Sequence, residues 1–180
     1  MMKRISLLII LIISITCLHA QDLEFRIYCC ETTSLVTLKN GRLRFINTLL
    51  ENVKYDSEIS KDDLIVLNNE IKDINTKKGD EVWLNHCIDD GTNLKFKIID
   101  HDTLVKKVFV GNYMDRRLNK IILIINKHLE KINTNSFIAV LGYGSNNENY
   151  IKTEIADQES CPMTAPEKYK NAMLNNWCEF

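Results

Sequence analysis

The alternation of apolar and polar positions divides the chain into short segments of differing period. Over 23–29, Leu23, Phe25 and Ile27 alternate with Glu24, Arg26 and Tyr28, the period of two of a half-buried strand. Residues 35–38 and 43–46 flank Asn40-Gly41, a dipeptide that strongly favours a two-residue hairpin turn. The pattern then softens, and Ile46, Leu49, Leu50 and Val53 compete as a helical stripe. Ser60, with Asp63 three residues later, reads as an imperfect capping box. The helix it opens has Leu64, Leu67, Ile71 and Ile74 as its inward stripe.

The middle of the chain reads as a meander of strands over 82–88, 94–99 and 104–110. Asp89-Asp90-Gly91 and Asp100-His101-Asp102 supply the turns. Lys95, Lys97, Lys106 and Lys107 interrupt the apolar positions, as on a solvated stretch of sheet. Asn112 and Asp115 predict the start of the longest helix, 113–131, where Met114, Leu118, Ile121, Ile122, Ile125 and Leu129 keep helical spacing. The apolar run 137–141 predicts a central buried strand, 150–155 a further strand, and Thr164, Pro166 and Glu167 the start of a last helix over 165–177. Connections between neighbouring strands are hairpin-sized, which favours antiparallel pairing. The expected fold class is therefore α+β, a mainly antiparallel sheet with about three helices packed on one face.

The first residues change the picture. Lys3 and Arg4 precede an apolar run over 5–15, the n-region and h-region of a secretory signal peptide. The run is shorter than the roughly 20 residues that span a bilayer. Ala20 is small enough for a cleavage site, so the expectation is a signal peptide over 1–20 and one globular domain over 21–180. Cys17 follows Ser14-Ile15-Thr16, a poor lipobox; lipidation at Cys17 is the alternative that would tether the protein to a membrane. The expected location is periplasmic or extracellular. The absence of any Asn-x-Ser/Thr sequon favours a bacterial envelope over a glycosylating pathway.

The formal net charge is −1, and the leader contributes two basic and no acidic residues. Both signs are interspersed along the chain, which argues against a nucleic-acid partner. No cofactor loop is present, so no cofactor is expected.

Of six cysteines, five remain beyond the leader, an odd number. In an exported protein these are disulfide candidates. A helix over 165–177 separates Cys161 from Cys178 by roughly 20 Å, too far for a bridge. Cys29 and Cys30 are neighbours on a strand and point to opposite faces. The favoured pairing joins Cys29 or Cys30 to Cys161 or Cys178.

Three clusters invite chemistry. His86-Cys87 with Asp89 and Asp90 offers metal ligands, but adjacent strand residues diverge too far for a Cys–His nucleophile pair. Asp100-His101-Asp102 also holds ligand types, although consecutive residues rarely converge on one ion and all three suit turns. The segment 141–146 carries Gly142 and Gly144 as an anion nest without the helix of a phosphate loop. Tyr113, Arg116 and Arg117 have the composition of a partner surface. The leading expectation is a non-enzymatic exported domain that binds another protein. The alternative is a small secreted hydrolase, metal-assisted through His86, Asp90, His101 or Asp102.

Overall fold

Two tight turns organise the sheet. In the computed structural model, Asn40 and Gly41 both take positive φ, 51° and 73°, the type I′ geometry whose twist matches flanking strands. They join β2 (Ser34–Lys39) to β3 (Arg42–Asn47). His101 and Asp102 repeat the device at φ 47° and 59°, between β6 (Asn93–Asp100) and β7 (Thr103–Gly111). His and Asp are among the non-glycine residues that tolerate this region. The structure describes residues 23–29, 34–47, 53–85, 93–132, 144–161 and 167–175.

The remaining described strands are β1 (Leu23–Cys29), β4 (Val53–Glu58) and β5 (Glu81–Leu84). The described helices are α1 (Lys61–Asn75), α2 (Arg116–Ile132), α3 (Glu148–Ser160) and α4 (Glu167–Asn175). The seven strands form one sheet in the order β4-β3-β2-β1-β6-β7-β5. Among the described residues every pairing is antiparallel except β5 with β7, which is parallel. The fold is thus α+β with a largely antiparallel sheet.

Alternation sends one set of side chains into a single apolar cluster. Phe25 and Ile27, Val36 and Leu38, Leu43 and Phe45, Leu94, Phe96 and Ile98, Val108 and Val110 come from the sheet. Leu67, Ile71 and Ile74 of α1 join it, with Leu118, Ile121, Ile122, Ile125 and Leu129 of α2. The two helices also pack on each other. At the N-terminus of α1 the Ser60 side chain accepts from the Asp63 N–H at 3.2 Å, the cap that the sequence predicts. At the other end the carbonyls of Ile74 and Lys77 each accept from Lys106 Nζ at 2.9 Å, which satisfies orphan groups of a helix terminus.

Several expectations need correction. β5 does not form a hairpin with β6; it lies at the sheet edge beside β7. β5 ends at Leu84 and β6 begins at Asn93, so no two-residue turn joins them as Asn40-Gly41 joins β2 to β3. Residues 150–155 are helical, within α3. Asn147 caps that helix by accepting from the N–H groups of Asn149 and Tyr150. Ile151 and Ile155 are four residues apart, and Ile151 is the buried residue of α3, a helical spacing. Asp115 rather than Asn112 caps α2, accepting from the N–H groups of Arg117 at 2.9 Å and Leu118 at 3.0 Å. Val53 opens a strand, not a helical turn. Lys106 is not solvated; its side chain is 0 % exposed. The predicted strand over 137–141 and the leader over 1–20 lie outside the described residues. No helix among the described residues is long and apolar enough to cross a membrane.

Polar clamps fix α3. Gln158 donates to the Met114 carbonyl at 2.7 Å and accepts from its N–H at 2.8 Å. Arg116 pairs with Glu148 at 2.7 Å. Helix α4 contacts β5 and β7, and its Lys170 and Leu174 share a cleft with Val82.

Candidate functional site

His101 and Asp102 occupy the two left-handed positions of the β6–β7 turn. His101 Nδ1 lies 2.8 Å from Asp100, and its side chain is 76 % exposed. Asp102 points elsewhere, accepting from Lys39 Nζ at 2.9 Å. His86 and Asp90, the other metal candidates, lie outside the described residues, as does Cys87. Among the described residues no group of three or more His, Cys, Asp and Glu side chains is placed to hold a metal ion.

The glycine-bearing loop is spent on structure where it is described. Asn119, buried on α2, accepts from the Ser145 N–H at 2.7 Å and donates to the Ser145 carbonyl at 3.0 Å. That N–H is therefore already engaged. The residues at the start of α2 are engaged as well. Arg117 chelates Asp115 and stacks 5.3 Å above the Trp83 ring, and Tyr113 packs on the same ring at 6.3 Å. Cys161, at the C-cap of α3, is disulfide-bonded. Its partner sulfur is not among the described side chains. The Cys29 side chain, Cys30 and Cys178, the other expected members of a bridge, lie outside what the structure describes.

The sheet face turned away from the apolar cluster carries a different pattern. Register places Asp56 opposite Arg44, Arg44 opposite Thr37, Thr37 opposite Arg26, Arg26 opposite Lys97, and Lys97 opposite Lys107. These six residues form one row across six strands, and four of them are cations. The row below it contains Arg42 and Lys39 with Glu24 and Glu58, and the row above contains Lys95. Directly opposed like charges destabilise a sheet; here Arg44 is offset by Asp56 and Arg26 by Glu24, and Lys97 and Lys107 have partners of their own.

Within it lies a cleft of about 420 Å³ lined by Arg26, Thr37, Lys39, Arg42, Arg44 and Asp56, among others. The arginines are held as carboxylate forks. Asp56 accepts from Arg42 Nε and Arg44 Nη2, each at 3.2 Å, and the Arg44 hydrogen bond is the chief influence holding its carboxyl below the usual range. Glu24 is buried beneath Arg26, which donates to it, and Lys39, 3.3 Å away. The Glu24 hydrogen bond raises the Arg26 pKa, and Asp102 and Glu24 raise that of Lys39. Lys97 sits 5.0 Å over the Tyr28 ring and Lys95 5.8 Å over Phe109. Burial pushes the Lys95 pKa down. The guanidinium side chains of Arg42 and Arg44 remain 64 % and 60 % exposed.

Sequence reasoning missed this face as a site. The only local signal is a cation at alternate positions, Arg42 with Arg44 and Lys95 with Lys97. No family model matches the chain, and no curated protein or solved structure matches it. The described arrangement suits recognition of anionic groups by exposed, prepositioned cations.

Proposed function

We propose that the chain is an exported, non-enzymatic interaction domain of the bacterial envelope or periplasm, binding another protein through the cation-bearing face of its sheet. In this reading α1 and α2 close the opposite face and act as scaffold. The observation that carries it is the cleft of about 420 Å³ on this face, where Arg42 and Arg44 stand 64 % and 60 % exposed beside Arg26, Thr37 and Lys39. The basic, apolar leader and the disulfide-bonded Cys161 support export to an oxidising compartment.

The test is affinity capture from native envelope with the wild-type protein and a Thr37→Tyr variant in parallel. Thr37 lies mid-row and is uncharged, so a bulky ring there obstructs the face without altering its charge. A protein retained by the wild type and lost by Thr37→Tyr is expected. Identical recoveries with both would overturn the use of this face. Intact mass of the native protein reports cleavage after Ala20 and acylation at Cys17. Recovery with Met1 still in place would overturn export.

A further inference from the structure

The cleft has a floor and two walls. Thr37 on β2 stands in register between Arg44 on β3 and Arg26 on β1. A short side chain between two long ones leaves a hollow two strand spacings, or roughly 10 Å, across. Arg42 and Lys39 line it from the row below, and the half-buried Ile46 from the row above. The geometry points to a site for a small organic phosphate ester, its phosphate between Arg42 and Arg44 and its organic part over Thr37 and Ile46. This goes beyond the docking reading: it uses the same cleft and needs no protein partner.

Each cation is held by a carboxylate, and the holding leaves donors over. Asp56 takes Arg42 through Nε alone and Arg44 through Nη2 alone. A guanidinium has five N–H donors, and the other donors of both arginines meet no group among the described residues. The carboxylate thus fixes two forks side by side without using them up, a pre-positioning that lowers the cost of gripping an anion. Buried Glu24 anchors Arg26 and Lys39 in the same way. Cations outnumber carboxylates around the cleft by four to two, and by four to three when Asp102 on Lys39 is counted. An incoming anion therefore meets residual positive charge.

Two observations select the ligand class. The remaining donors of Arg42 and Arg44, the Thr37 hydroxyl and the Lys39 ammonium come from two neighbouring strands. They offer more directions than the two coplanar oxygens of a carboxylate can meet, and suit the three terminal oxygens of a phosphate ester. The volume, about 420 Å³, falls in the range of small-molecule sites, about 300–1,000 Å³. A bare phosphate would leave most of it empty, and Ile46 gives an apolar wall for an organic body.

Isothermal titration calorimetry of the purified protein with glycerol 3-phosphate at low salt tests the proposal, with glycerate as the carboxylate of similar body. Saturable binding of glycerol 3-phosphate, weaker for glycerate and falling as salt rises, is expected. Arg42→Gln and Arg44→Gln are each expected to weaken it about fivefold or more. Thr37→Tyr fills the floor without changing charge and is expected to abolish it. Lys72→Glu, at an exposed position of α1, is expected to leave it unchanged. Circular dichroism melting confirms that the variants fold; the two arginine variants carry the test if Thr37→Tyr does not. Sedimentation with phosphatidylcholine vesicles, with and without phosphatidic acid, separates the sources. Recovery only with phosphatidic acid, lost in the arginine variants, makes the ester a lipid headgroup; titration without such recovery makes it a soluble ester.

Glycerate binding as tightly as glycerol 3-phosphate, or binding unaffected by either arginine variant, would overturn the proposal. So would no saturation by glycerol 3-phosphate together with no recovery on vesicles. A native partner lost by Thr37→Tyr from a protein that binds no ester would sink this inference and leave the docking reading standing; an ester bound by a protein that captures no partner would do the reverse.

Discussion

Phe96 and Lys97 are neighbours in the chain and opposites in the molecule, as are Lys106 and Lys107. Alternation sends Phe96 and Lys106 toward α1 and α2, and Lys97 and Lys107 to the other face. On the helix side every lysine must be accounted for. Lys106 Nζ is surrounded by the Ile74 and Lys77 carbonyls and the Glu81 carboxylate. On the far side cations stand opposite cations. The two faces therefore obey different rules. One is governed by desolvation, which forbids an unpaired charge; on the other, neighbouring cations are held beside carboxylates and rings, Arg26 on Glu24 and Lys97 over Tyr28. A residue's role follows from its face far more than from its type.

The largest effect expected from breaking this comparison is at Phe96. It is 0 % exposed, with its ring 5.2 Å from Phe25 and 5.6 Å from Trp83. Phe96→Ala should cost about 3–5 kcal/mol, read as a lowered urea midpoint. A cost near zero would mean that the cluster repacks and that the helix-side face is not the core.

Next is Lys106→Met, which keeps the volume and removes the charge. The Ile74 and Lys77 carbonyls and Glu81 lose their shared donor, although Glu81 still accepts from Trp83 Nε1 at 2.8 Å. A loss of about 3 kcal/mol is expected from breaking a buried pair on one side. Lys107→Met, one residue along, should change stability by no more than about 0.5 kcal/mol. Equal losses at the two lysines would erase the distinction between faces.

How far this was readable from sequence follows the same division. The helix-side face was legible because its signals are local: Phe25 and Ile27 alternate, Asn40-Gly41 demands a type I′ turn, and Ser60 with Asp63 caps α1. The cation row was not, because Arg44, Arg26, Lys97 and Lys107 come together only through strand order and register. β1 pairs with β6 across some 70 residues of chain, and no periodicity encodes that choice. Lys106 and Lys107 look alike in a sequence; only the register that sets Lys106 opposite Ile98 separates them. In α3 the error ran the other way. Ile151 and Ile155 fit a helix, yet so few of its residues are apolar that alternation from Tyr150 looked as good.

A third prediction concerns pH. Asp63 near the start of α1 accepts from His128 Nε2 at 3.0 Å and Lys127 Nζ at 3.1 Å, tying α1 to α2 above the core. Burial pushes its carboxyl up, but hydrogen bonds from His128, Ser60 and Lys127 outweigh this and hold it at about 2. Its folded pKa lies below the ordinary value of 3.8. Its contribution is therefore complete above about pH 4 and disappears as pH falls through about 2. Asp63→Asn should be less stable than wild type at pH 5, by on the order of 1 kcal/mol, with the gap closing toward pH 2. A gap constant between pH 5 and pH 2 would show that the carboxylate charge does not link the helices.

The smallest stability effect is the most discriminating. Lys97→Glu places a carboxylate between Arg26 and Lys107. Two repulsive cross-strand contacts become attractive, each worth roughly 0.2–1 kcal/mol. Against this, the ammonium 5.0 Å over the buried Tyr28 ring is lost together with the other contact that Lys97 makes, at about 0.5–2 kcal/mol. The terms nearly cancel, and the urea midpoint should move little at low salt, drifting downward as salt screens the new pairs. A side chain retained for folding would give a clear loss instead, of the size expected one position earlier in the chain. A loss above about 2 kcal/mol at Lys97 would mean that the cation row is part of the scaffold, and the recognition role assigned to this face would lose its physical basis.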